Sequence, residues 1–185
     1  TDANTNQMAN GETVAGTDVA PPAIIIAATG DNNADGTIDR LALTFSESVT
    51  VTDGGTDNDI TLVASSGTAT ITAGVYGVTA STLTYTISTS VSNDTSLTVT
   101  PTYATAGAGD ITDANTNQMA NGETVAGTDG ASPIVISRTT GDNDSDGKID
   151  RVLVVYSEDL DGTTVTGGDL YTVAGYTVAA VAETP

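Results

Sequence analysis

Apolar and polar residues alternate along much of the chain. Leu41, Leu43 and Phe45 fall on one side of an extended backbone and Ala42, Thr44 and Ser46 on the other; Leu83, Tyr85 and Ile87 repeat the pattern against Thr82, Thr84, Thr86 and Ser88. A period of two belongs to a strand half-buried on one face, whereas no convincing amphipathic helical pattern is present. Further strands are predicted over residues 23–28, 59–64, 69–73 and 96–102, with a last, less regular one within 111–125. Threonine and valine suit a pleated surface, and TDGGTDND, NDTS and Asn121-Gly122 supply turns between the runs.

The pattern is itself repeated. TDANTNQMANGETVAGTD at residues 1–18 returns letter for letter at 112–129, a shift of 111 positions, and DNNADGTIDRLALTFSES at 31–48 faces DNDSDGKIDRVLVVYSED at 142–159 in the same register. A period this long matches a small autonomous domain rather than a solenoid turn. The predicted organisation is the C-terminal strand of a preceding repeat (1–18), a complete repeat (19–129) and the N-terminal part of the next (130–185). About seven short strands per repeat predict an all-β fold class: tandem immunoglobulin-like antiparallel β-sandwich modules of about 111 residues.

Composition narrows the function. Four basic residues against 24 acidic ones give a net charge of −20, which would repel nucleic acid and anionic membranes. With no histidine and no cysteine, the commonest catalytic bases, nucleophiles and transition-metal ligands are missing, so no enzyme is expected. A lysine–asparagine crosslink is set aside for the complete repeat, whose one basic residue is Arg40. Aromatic residues make up only 4%, which predicts a thin core that bound ions or neighbouring modules would have to supplement.

Candidate chemistry lies between the first two strands. Asp31, Asn33, Asp35 and Asp39 place oxygen side chains at positions 1, 3, 5 and 9 of a loop, with Gly36 at the bend and the Thr37 carbonyl at position 7. Asp142, Asp144, Asp146, Lys148 and Asp150 repeat it around Gly147. A hard cation takes six to eight oxygens, and calcium accepts such a cage more readily than magnesium. Ile38 and Ile149, at position 8, are expected to anchor the loops in the core. Position 12, normally glutamate, holds Ala42 or Leu153, so another segment must close each site.

In a sandwich, Asn93, Asp94, Glu123 and Asp129 should share the pole of the first loop. The opposite pole would carry Asp53, Asp57, Asp59, Asp110 and Asp113, so that carboxylates of two modules meet at each junction. Residues 113–117 read as an ordinary polar turn, or as a second cation loop lacking its glycine. Arg40 and Arg151 are expected to pair with Asp39 and Asp150 or other nearby acids. Asn93-Asp94-Thr95 and Asn143-Asp144-Ser145 match the N-glycosylation sequon.

The succession TGDNNADGTIDRLALTFSESV, alternating strands and ITDANTNQMA resembles the immunoglobulin-like repeats of bacterial and archaeal surface-layer proteins and giant adhesins, while the DxNxDG turn is similar to the calcium loops of dockerins and thrombospondin type 3 repeats. The resemblance spans the whole chain. It implies an extracellular or cell-surface location, modules joined end to end, self-association through neighbouring repeats or chains, and calcium-dependent rigidity. The expected function is a structural array: a stalk, surface layer or filament. The alternative is a calcium-dependent adhesin or recognition module for glycans, cells or ice, for which few aromatics are available to stack on sugars.

Overall fold

The computed structural model describes residues 10–11, 13–52, 59–74, 78–104, 111–161, 171–178 and 180–181. These residues are all-β. The region 19–129 carries β1 (Ile24–Gly30), β2 (Arg40–Val51), β3 (Ile60–Ala64), β4 (Ala69–Ala73), β5 (Thr79–Thr89), β6 (Val99–Tyr103), β7 (Ile111–Thr112) and β8 (Gly127–Thr128). Beyond it lie β9 (Val135–Gly141) and β10 (Arg151–Tyr156). No helix among the described residues is long and apolar enough to cross a membrane.

Alternation becomes burial along β2 and β5. Leu41, Leu43, Phe45, Leu83, Tyr85 and Ile87 are all buried, while Thr82, Thr84, Thr86 and Ser88 face solvent. The antiparallel register sets Leu41 opposite Tyr85 and Leu43 opposite Leu83, so the apolar sets of the two strands form one continuous patch. One sheet runs β4-β5-β2-β1-β8, with β7 also on β2; β3 and β6 form a second, antiparallel pair. Ile60, Val99 and Tyr103 from that pair join the same core, completed by Ile38, Leu97 and Met119 from the connections.

Two predicted elements differ from expectation. The strand expected over 96–102 begins only at Val99, because Asp94 Oδ1 accepts from both the Ser96 N–H (3.1 Å) and the Ser96 hydroxyl (2.7 Å), holding that stretch as a turn. The closing segment is not one strand. It pairs Ile111 with Val51, bridges Thr124 to Thr102 on β6, then lays β8 parallel to β1 with Gly127 opposite Ala27. Its passage over β6 is so close that a methyl group on Gly127 would lie 2.2 Å from the Val99 carbonyl oxygen.

That path corrects the placement of Glu123. The Tyr103 N–H donates to the Glu123 carbonyl at 2.8 Å, which puts Glu123 beside the end of β6, near Asp59, at the pole opposite the first loop. Asp129, farther along, does return to the loop's pole. Asp53, Asp57 and Asp110 lie outside the described residues.

Strands β9 and β10 copy β1 and β2 one period later: Gly141 pairs with Arg151 as Gly30 pairs with Arg40. In both pairs the arginine lies across the facing glycine, and a methyl group at Gly30 would meet Arg40 Nε at 2.6 Å. Among the described residues the expected Arg40–Asp39 pair is not formed; Asp39 accepts from a backbone N–H instead.

Candidate metal centre at the junction between repeats

Both acidic loops adopt the same backbone. Positions 4 and 6 are left-handed in each: Ala34 and Gly36 at φ 56° and 87°, Ser145 and Gly147 at 62° and 87°. This folds the side chains of positions 1, 3 and 5 inward. Asp31 accepts from the Gly36 N–H (2.7 Å) and the Asp35 N–H (3.3 Å), Asn33 from the Asp35 N–H (3.0 Å), and Asp35 from the Thr37 N–H (2.9 Å). Asp142, Asp144 and Asp146 make the equivalent bonds to Gly147, Asp146 and Lys148, and their carboxylate oxygens lie within 4.8 Å of one another.

Position 9 plays a different part. Asp39 and Asp150 each turn one carboxylate oxygen to the N–H of position 2, Asn32 or Asn143, at 2.7 Å, closing the loop on itself. Thr37 and Lys148 bring position 7 to the same bend. The Lys148 side chain also reaches back to Asp146 Oδ2 at 2.8 Å, an ion pair the first loop does not have. Ile38 is fully buried, as an anchor should be, whereas Ile149 is 45% exposed because β9 and β10 form a two-stranded sheet without a second layer among the described residues.

The electrostatics follow from these bonds. The Gly147 N–H holds the Asp142 carboxyl below the usual carboxylate range, against the opposing effect of burial. The Lys148 ammonium does the same for Asp146. Carboxylate oxygens converging on one point form a donor set of the kind that hard divalent cations take. Position 12 is occupied by strand residues, Ala42 on β2 and Leu153 on β10, so the loop leads into a strand rather than a helix.

The first loop touches the following repeat. A methyl group at Gly36 would lie 3.1 Å from Ile134 Cδ1 and 3.2 Å from Ile136 Cδ1, and the Asp94 N–H donates to the Gly36 carbonyl at 3.0 Å. Next to it Thr95, fully buried, meets Ser157 Oγ at 2.6 Å and donates to Glu158 Oε1 at 2.7 Å. Burial pushes the Glu158 carboxyl up; Thr95 opposes this, and Asp129 and Asp94 add to it.

An analogous meeting occurs at the other pole. Asp18, Glu47 and Asp113 bring carboxylate oxygens within 4.8 Å of one another. Asn115 and Asn117 reach from the 113–117 turn to Asp18, at 3.4 and 3.3 Å. Within that turn Asp113 accepts from the N–H groups of Asn115 and Asn117 and from the Asn117 amide, so it is a self-capped polar turn. Those bonds outweigh burial and hold Asp113 low, while burial, then Asp113 and Asp18, push Glu47 up.

Glu47 and Glu158 stand one period apart, as do Asp18 and Asp129. Sequence reasoning anticipated carboxylates from two modules meeting, but not these glutamates. Their signal is the recurrence of SE in LTFSE and VVYSE. Comparison with family models, curated proteins and solved structures gives no match to this chain.

Proposed function

We propose that the chain is part of an extracellular structural array, a stalk, surface layer or filament of immunoglobulin-like repeats that calcium stiffens at their junctions. The observation that carries this reading is the contact of Ile134 and Ile136 with Gly36: the acidic loop is part of the surface on which the next repeat sits. An ion held by Asp31, Asn33, Asp35 and the Thr37 carbonyl, in a loop that Asp39 closes through the Asn32 N–H and to which its second oxygen could add, would fix the Gly36 backbone, and with it the seat of the following module. The order β4-β5-β2-β1 facing β3-β6, with the closing segment on β6 and β1, supports the immunoglobulin-like assignment. Recurrence of the loop backbone at 142–150 supports a device repeated at each junction. No catalytic role is assigned, and the partners are neighbouring repeats of the same kind.

Electron microscopy of the native material, with and without a calcium chelator, tests the reading. Straight rods or filaments of regular spacing should slacken or come apart on chelation. Strings equally flexible in both conditions would refute calcium stiffening.

A further inference from the structure

The outer face of the first sheet differs in chemistry from the rest of the chain. On β2 the core takes Leu41, Leu43 and Phe45, each at most 2% exposed, so Arg40, Ala42 and Thr44 point away from the sandwich. In the register Ala28 and Thr84 flank Ala42, and Ile26 and Thr82 flank Thr44. None of these outward residues is acidic, in a chain of 24 acids to four bases. The charge this patch does carry is positive, on Arg40.

One period on, the same face turns apolar. Strand β10 carries Val152, Leu153, Val154 and Val155 in an unbroken run, the pattern of a strand covered on both sides. Leu153 pairs with Thr139 as Ala42 pairs with Ala28, and Val155 with Ser137 as Thr44 with Ile26. Val152 and Val154 therefore hold core positions, while Leu153 and Val155, 40% and 42% exposed, hold outward ones. In the complete repeat the β3–β6 pair packs on the core side, and among the described residues no strand lies over Ala42 or Thr44. What shields Leu153 and Val155 must then come from outside their own repeat. Here too the outward positions hold no acid, only Ser137, Thr139 and Arg151 beside the two apolar residues.

We propose that this outer face is a lateral docking surface for a second copy of the chain, face against face about a two-fold axis normal to the sheet. The proposal rests on the reading of the chain as an array of repeats and names the surface by which two arrays lie side by side. Charge selects the occupant. Copies of a chain at −20 repel wherever their acids meet, whereas acid-free faces let two sheets approach to the usual spacing of about 10 Å. An axis between Leu43 and Thr44 sets Arg40 of each copy over the far end of the other copy's β2, where Glu47 stands, so opposite charges meet. The Thr44 and Thr82 hydroxyls bond each other at 3.3 Å, and Thr72 donates to the Thr86 carbonyl at 3.2 Å. Hydroxyls satisfied within the sheet lose less on leaving water, which suits cover by another sheet; a sugar or an ice lattice needs them free to bond. Three strands by five residues present on the order of 250 Å² per copy, against about 800 Å² per partner in a stable interface. A single pair of faces is thus transient, and recurrence of the face along the chain is what strengthens the contact.

The chain has no cysteine, so Thr44→Cys places a single thiol beside the axis, and Thr61→Cys places a control on the exposed side of β3. In chelator, disulfide-linked dimer should form at least about tenfold faster from Thr44→Cys than from Thr61→Cys. Adding Thr84→Glu to Thr44→Cys should bring the rate down to the control's, whereas Thr61→Glu, the same charge on the other sheet, should leave it high. Equal rates for the two thiols, or a Thr44→Cys rate indifferent to Thr84→Glu, overturn the pairing. So does ice shaping or glycan retention by the monomer that Thr84→Glu abolishes, which would give the face to the adhesin reading. The two ideas fail separately: equal rates alongside rods that slacken on chelation sink only the lateral face, and fast Thr44→Cys dimers alongside rods indifferent to chelation uphold the face and sink only calcium stiffening.

Discussion

At the residue scale the two loops differ most in chemistry at position 7, where Thr37 becomes Lys148. Its ammonium is 2.8 Å from Asp146 Oδ2, on an oxygen that a cation would need. The lysine is 82% exposed and its partner 42%, so the pair is screened by solvent and weak. A calcium ion bound there would have to displace it. Lys148→Thr should therefore tighten calcium binding at the second loop about two- to fivefold by isothermal titration calorimetry, and Thr37→Lys should weaken the first loop. Unchanged affinities would mean that the lysine swings clear at no cost. The loop's bend and the convergence of its alternate side chains were legible because they are local, a run of nine residues read by alternation. Glu158 was not legible, because its partner Thr95 is 63 positions away and nothing in either neighbourhood names the other. Arg40 misled for a related reason: an acid stands next to it in sequence, yet its guanidinium lies over Gly30 on the paired strand.

At the scale of elements, β2 and β5 were legible because each buries one face, and a period of two then translates directly into exposure. The segment 111–128 resisted because its pairing changes partner twice, from β2 to β6 to β1, and no single period describes it. The chain provides an internal control for its role. Gly16 and Gly127 sit in identical sequence, TVAGTD, but a methyl group would strike the Val99 backbone at Gly127 and meet nothing within 4 Å at Gly16. Gly127→Ala should cost about 1–3 kcal/mol, since the obstruction is backbone and cannot rotate away. Gly16→Ala should stay within about 0.5 kcal/mol. Both substitutions change the unfolded chain alike, so the difference isolates the crossing. Denaturant unfolding of the two variants measures it; equal midpoints would mean that β8 does not hold its place over β6.

For the whole molecule the governing quantity is a net charge of −20 on a chain with four basic residues. Repulsion of that size loosens a compact state and is screened by salt over about 10 Å at 0.1 M. In chelator, thermal stability should therefore rise with added sodium chloride. Calcium acts in two separable ways. As a divalent ion it screens, and magnesium at the same concentration should do so equally. As a ligand it would neutralise converging carboxylates at two loops, stabilising by about 1.4 kcal/mol per site at ten times its dissociation constant, which is several degrees in a domain of this size. Melting curves at low salt should rank calcium well above magnesium, with the salt dependence flattened only in calcium, and Asp31→Asn with Asp142→Asn should erase the gap. If calcium and magnesium stabilise alike, the acidic loops are ordinary solvated turns, and what joins the first loop's pole to residues 134–158 is the packing of Ile134 and Ile136 on Gly36 and the hydrogen bonds among Thr95, Ser157 and Glu158.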